Sequence, residues 1–174
     1  YRGVIQHRIS LTTYLRKQSE ERGLDKPIGL GRIWRIVPDD GKTTAAAPMD
    51  LSSPEKLVAY LSHPNSWQRE TAQRLIVECR DAALIPLLEK VATEGDVAVG
   101  RMHAVWTLHG LDALKWSVTS AALEDRDPLV RAAATRASES LLSNHREEVV
   151  AKWIAQSKVE EVAEVQLQLA LSMG

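Results

Sequence analysis

Three arginines constrain this chain more than any other feature. Arg69, Arg101 and Arg131 are separated by 32 and 30 residues, and each is followed three positions later by alanine, at 72, 104 and 134. Asn65, Asp96 and Asp127 precede them by four or five positions. In the clearest copy, Asp127-Pro128-Leu129-Val130-Arg131, an acidic N-cap and a proline at the first helical position start a helix. Val130, Ala133, Ala134, Ala137 and Leu141 then fall on one face at steps of three and four. A period of about thirty residues with two helices per unit predicts an α-solenoid. Such units expose apolar residues on more than one side, and only stacking on a neighbour covers them.

From Ser52 onward the helical pattern scarcely pauses. Ser53-Pro54-Glu55 opens a helix to about Ser62, His63-Pro64-Asn65 breaks it, and a second helix carries Trp67, Ala72, Leu75 and Ile76. Asp81 opens the next helix, whose partner ends at Gly110; Asp112 to Glu124 and Asp127 to Leu142 make a third pair, and Asn144 to Gln156 and Val159 to Met173 a fourth. The short connections require antiparallel neighbours. The recurring caps and arginines predict a ladder between adjacent units, made by Arg69, Arg101, Asp127 and Arg131, that favours register more than stability.

The first 47 residues read differently. Residues 3–9 and 31–37 alternate as strands around a helix over Tyr14 to Arg22, which Gly23 and Pro27 terminate. Two strands separated by a helix make no stable sheet alone, so this αβ appendage reads as part of a larger sheet. Pro38 to Pro48, turn residues followed by small ones, is a linker. The domains expected are therefore 1–47 and 50–174. Tyr1 in place of Met, and an apolar helical pattern still running at Leu167 to Met173, read as a chain cut from a longer one.

Charge narrows the function. Residues 1–47 hold nine Lys/Arg against five Asp/Glu, and the remainder thirteen against eighteen. A repeat region at −5 argues against a nucleic-acid groove, which needs clustered positive charge. No apolar run is long enough for a membrane span. Cys79 is the only cysteine, so no intramolecular disulfide forms and Cys-x-x-Cys-His is absent.

Candidate chemistry is sparse. Gly29-Leu30-Gly31 is followed by a strand-like segment rather than the helix a dinucleotide site needs, and reads as a turn. His103 and His109 lie on different faces of one helix, with no Cys or carboxylate spaced to complete a metal set. His63 and His109 read as helix C-terminal residues, and Glu147-Glu148 and Glu160-Glu161 as N-terminal caps. Cys79, beside Arg80, reads as a structural or surface thiol. No catalytic, cofactor or metal site is expected. With phenylalanine absent, tryptophan supplies much of the aromatic volume. Trp67, Trp106 and Trp153 are either wedges between units or anchors on a binding surface; Trp67, His103 and Trp106 are the candidates for contact with a partner.

The four hairpins resemble HEAT repeats, with Asp127 to Arg131 the best single match. More specifically, Tyr1 to His7 and Arg22 to Ile36 are similar to the closing blade of a glucose/sorbosone dehydrogenase-type β-propeller. In the membrane-bound dehydrogenase-like proteins of planctomycetes and related bacteria, that blade runs directly into HEAT repeats. His63 to Leu75 and Leu167 to Gly174 resemble the repeats of that family too. The resemblance implies an all-α solenoid of about four HEAT-like hairpins with a small αβ N-terminal appendage. It implies a periplasmic or exported parent, often with a c-type haem domain. The expected role is a non-catalytic scaffold whose partner is a protein or a neighbouring domain of the parent chain. The competing expectation is a piece of a quinone-dependent sugar or alcohol dehydrogenase whose active site lies outside these residues. A third, a HEAT-type nucleic-acid glycosylase, is disfavoured by the acidic balance.

Overall fold

A computed structural model describes residues 8–24 and 48–174, and the chain divides into two compact units, Tyr1–Ala47 and Pro48–Gly174. The fold of the described residues is all-α, with no strand among them.

In the first unit a 3-10 turn at Arg8–Ser10 precedes α1 (Thr13–Glu21). The Thr12 hydroxyl caps α1 by accepting from the Leu15 N–H at 3.4 Å. Gly23, at φ +63°, ends it. The Gly23 N–H donates to the Glu20 carbonyl and the Leu24 N–H to that of Ser19, the crossed pair that closes a helix on a left-handed residue. The strand expected at 31–37 lies outside the described residues. The one expected at 3–9 reaches them only at Arg8 and Ile9, where the backbone enters the 3-10 turn instead.

The second unit holds α2 (Pro54–Tyr60), α3 (Ser66–Cys79), α4 (Ile85–Glu94), α5 (Ala98–Gly110), α6 (Trp116–Leu123), α7 (Pro128–Ser138), α8 (Arg146–Ser157) and α9 (Ala163–Met173). They pack as consecutive pairs, α2 with α3 through α8 with α9. Helices α3, α5, α7 and α9 also pack each on the next, forming one layer. Contacts of α2 with α4 and α4 with α6 form a second. Gln156 of α8 extends this second layer by donating to the Leu123 carbonyl of α6 at 3.2 Å.

One apolar cluster runs through the unit, from Leu57 and Leu61 by way of Leu88, Leu108 and Val130 to Trp153 and Leu169. Ala72, Ala104 and Ala134, the alanines that follow the arginines, are fully buried in it, and Leu169 fills the equivalent place on α9. Trp153 is buried too, and its indole N–H donates to the Ser138 hydroxyl at 3.0 Å, which in turn donates to the Thr135 carbonyl. A tryptophan can enter a core on those terms because its one polar atom is satisfied.

Two helix boundaries differ from the sequence reading, each for a local reason. Asp112, expected to open a helix, has φ +56° and ends α5. The Asp112 N–H donates to the His109 carbonyl and the Ala113 N–H to that of Leu108. Aspartate both caps helix starts and tolerates the left-handed region, so its presence alone does not say which end it marks. Accordingly α6 begins only at Trp116. Likewise α9 begins at Ala163 rather than Val159, because residues 159–162 form the turn that carries Glu160.

Gly100, in the first turn of α5, marks the tightest approach to the preceding pair. A Cβ there would stand 2.1 Å from the Ser62 hydroxyl and 3.3 Å from the Ser62 Cα. Serine can rotate its hydroxyl away, but the backbone cannot follow cheaply. Gly100→Val should therefore lower the urea unfolding free energy by about 1–3 kcal/mol. An unchanged midpoint would show that the two segments can separate freely.

Candidate functional site

The three arginines make a ladder along the α3–α5–α7–α9 layer, and each uses its guanidinium twice. The first use is local. Arg69 Nη1 donates to the carbonyls of His63 and Pro64 at 2.7 and 2.9 Å. Arg101 Nη1 does the same to Gly95 and Asp96 at 2.7 and 3.3 Å, and Arg131 Nη1 to Asp125 and Arg126 at 2.9 and 3.3 Å. In every case the acceptors lie six and five residues upstream, in the turn entering the helix. Gln166 repeats the first of these contacts on α9, its amide donating to the Glu160 carbonyl at 2.7 Å.

The second use joins one pair to the next. Arg101 Nε and Nη2 form a two-pronged bridge to the Asp125 carboxylate at 2.6 and 2.7 Å. Arg131 grips Glu160 in the same way, with both bonds at 2.7 Å. Each carboxylate also accepts the N–H two residues on: Asp125 from Asp127 at 2.8 Å, Glu160 from Val162 at 3.1 Å. The fork of a guanidinium matches a carboxylate in two parallel bonds, which fixes direction as well as distance. These pairs are largely withdrawn from water, with side-chain exposures of 4% and 10% for Arg101–Asp125 and 16% and 5% for Arg131–Glu160.

Asp127, expected in the ladder, is not one of its carboxylates; it caps α7 by accepting the Leu129 N–H at 2.9 Å. The carboxylates that receive the arginines, Asp125 and Glu160, escaped the sequence reading as ladder partners. The signal that could have found them is their fixed place, six residues before Arg131 and Gln166. The same place holds Gly95 in the second pair, which leaves Arg69 without a carboxylate. Its Nε meets His103 Nε2 at 3.3 Å instead, and His103 Nδ1 lies 2.6 Å from Gln73 Oε1. His103, only 8% exposed, is thus a ladder residue held inside the α3–α5 seam and is not offered to a partner.

Trp67 and Trp106 have different surroundings. Trp67, at the start of α3, is 62% exposed. Trp106 is half-buried, packs its ring edge-on with His109 at 5.6 Å, and lines an open groove with Val77, Gly110, Glu70, Arg74 and Glu78. The positions one and five after the arginine, or after Gln166, are Glu70 and Arg74, Met102 and Trp106, Ala132 and Arg136, and Leu167 and Leu171, all partly or fully exposed. They form the outward side of this layer, where Leu167 and Leu171 are 61% and 65% exposed.

The bridges shift acid–base equilibria in a definite direction. Arg131 holds the Glu160 carboxyl at about 2 against the opposing effect of burial. For Asp125, burial alone would raise the value, but the bonds from Arg101 and from the Asp127 N–H outweigh it and keep the carboxyl below its usual range. A depressed carboxyl lends stability that is complete above its unfolded-state value and disappears as pH falls through the folded-state one. Glu160→Gln should therefore flatten the loss of unfolding free energy between pH 4.5 and about 2, removing on the order of 3 kcal/mol of that dependence. Equal slopes for the two proteins would show that the bridge carries no linkage.

Arg131→Ala strands the buried Glu160 carboxylate and should cost about 3 kcal/mol. Arg69→Ala strands no carboxylate and should cost nearer 1 kcal/mol. Chemical denaturation of both variants at neutral pH checks the order; a reversed ranking would mean that the carboxylate bridges are not the stronger rungs.

Among the described residues no helix is long and apolar enough to cross a membrane. No protein-family model, curated protein or solved structure matches the chain.

Proposed function

We propose that this chain is a non-catalytic helical-repeat scaffold, a short α-solenoid of four HEAT-like hairpins. It presents the outward side of the α3–α5–α7–α9 layer to a protein or a neighbouring domain. The observation that carries the reading is the recurrence of one local contact. A long donor side chain on each of these helices returns to the carbonyl six residues upstream, at His63, Gly95, Asp125 and Glu160. Three of the four also reach forward to the next pair, two of them to a carboxylate and Arg69 to His103. A contact repeated at nearly constant spacing is what stacking of equivalent units produces.

The outward side suits protein contact because its exposed apolar members lie beside arginines that already have partners. Arg74 pairs with Glu78 at 2.9 Å, and Arg136 with Glu139. Docking there would cover Trp106, Leu167 and Leu171 without stripping water from an unpaired Arg74 or Arg136. An aromatic anchor ringed by satisfied polar groups is the usual composition of an interface centre. The resemblance of Tyr1 to His7 and Arg22 to Ile36 to a closing propeller blade supports a place for this scaffold within a larger exported redox protein. The nearest partner would then be the propeller or haem domain of that parent.

The separately produced propeller of the parent should bind this chain in isothermal titration. Trp106→Ala and Leu171→Glu should each weaken binding at least tenfold, or about 1.4 kcal/mol, while leaving the far-ultraviolet spectrum unchanged. Absence of binding by the unaltered chain would remove the interdomain role. Turnover of a sugar or alcohol with a dye acceptor by this chain alone would overturn the non-catalytic reading.

A further inference from the structure

The ladder's first rung differs in kind from the other two. Arginine stays cationic and has only donors to offer, so the His103 Nε2 that faces Arg69 Nε at 3.3 Å must present a lone pair. The ring proton therefore sits on Nδ1 and is donated to Gln73 Oε1, 2.6 Å away. His103 is neutral in this arrangement and nearly sealed from water. A second proton, on Nε2, would set donor against donor and cation against cation inside the seam.

The charged groups acting on the ring come from α3: Arg69 opposes the proton and Glu70 favours it. Among the described residues none of the other helices packed on α5, namely α4, α6 and α7, adds a charge that acts on it. A carboxylate cannot readily be supplied at the ladder's usual place. Gly95 stands there, and a Cβ on it would come 2.6 Å from the Val91 carbonyl oxygen. Burial first, and Arg69 second, hold the His103 ring below the ordinary histidine value.

We propose that the α3–α5 seam is a proton-sensitive joint: a proton taken up at His103 Nε2 breaks the Arg69 rung and loosens the α2–α3 pair from α5, while the Arg101–Asp125 and Arg131–Glu160 bridges hold. Arg69 stays with its own turn, because its bonds to the His63 and Pro64 carbonyls do not depend on the histidine. What separates is therefore one pair from the next. The two carboxylate bridges remain charged through this range, since both carboxyls titrate below their ordinary values. The device lies outside the outward side assigned to partner contact and does not rest on that assignment.

Amide hydrogen exchange on the whole chain at pH 7.5 and pH 5.5, corrected for intrinsic rates, tests the joint. Opening of α3 should become more favourable at the lower pH by up to about tenfold, the limit set by a reference histidine pKa of about 6.5. Protection of α7 and α9 should stay level. His103→Gln, whose amide can still accept from Arg69 and donate to Gln73, should abolish the pH response. An unaltered chain with pH-independent α3 protection, or a glutamine variant with the same response as the unaltered chain, would overturn the proposal. If the variant does not fold, nitrogen NMR of the unaltered chain decides. The proposal requires a neutral Nδ1–H ring that titrates below about 6.5; titration at or above that value refutes it.

Discussion

A guanidinium that binds twice holds the second unit in order. With one nitrogen, Arg101 closes the turn leading into its own helix; with two others it closes on a carboxylate in the turn leading into the next. Apolar packing alone tolerates sliding between neighbouring helices, because grease has no preferred direction. A buried fork on a buried carboxylate does not, since a displacement of an ångström breaks both bonds and strands two charges. The net stability from such pairs is small beside that of the apolar cluster, because desolvation offsets most of their attraction. Their contribution is to make one register much better than its competitors.

The helices behave as expected for elements that need each other. The Ala72, Ala104 and Ala134 positions disappear wholly into the interior. The tryptophans divide between roles: Trp153 is core, Trp106 is part core and part surface, and Trp67 stands in water. Small residues at the seams and one large wedge near the end of the row fill space that a uniform leucine core would fill less specifically.

Much of this was legible in the order of residues, and the failures have physical causes. The arginine spacing marks the helices of one layer because helical periodicity ties each arginine to its buried alanine. The carboxylates that answer those arginines sit in turns, where no periodicity operates, and they lie 24 and 29 residues away in the chain. Asp125 and Asp127 each accept the N–H two residues on; Pro128 marks Asp127 as the helix cap, but only three-dimensional placement assigns Asp125 to the bridge. His103 and Trp106 are one helical turn apart, so the sequence groups them. The seam takes the first, and the groove takes a part of the second. Both segments expected to form strands fall wholly or mostly outside the described residues.

Arg80 and Asp112 carry a quieter consequence. Both are non-glycine residues with left-handed backbones, at φ +51° and +56°, and both end helices of the same layer. An L side chain in that region costs roughly 1 kcal/mol or more relative to glycine. These two corners thus retain an unrelieved steric debt, the kind of small inefficiency that persists where a protein is stable enough already. Anyone wishing to harden this molecule against heat would find slack in the bends before finding it in the rods.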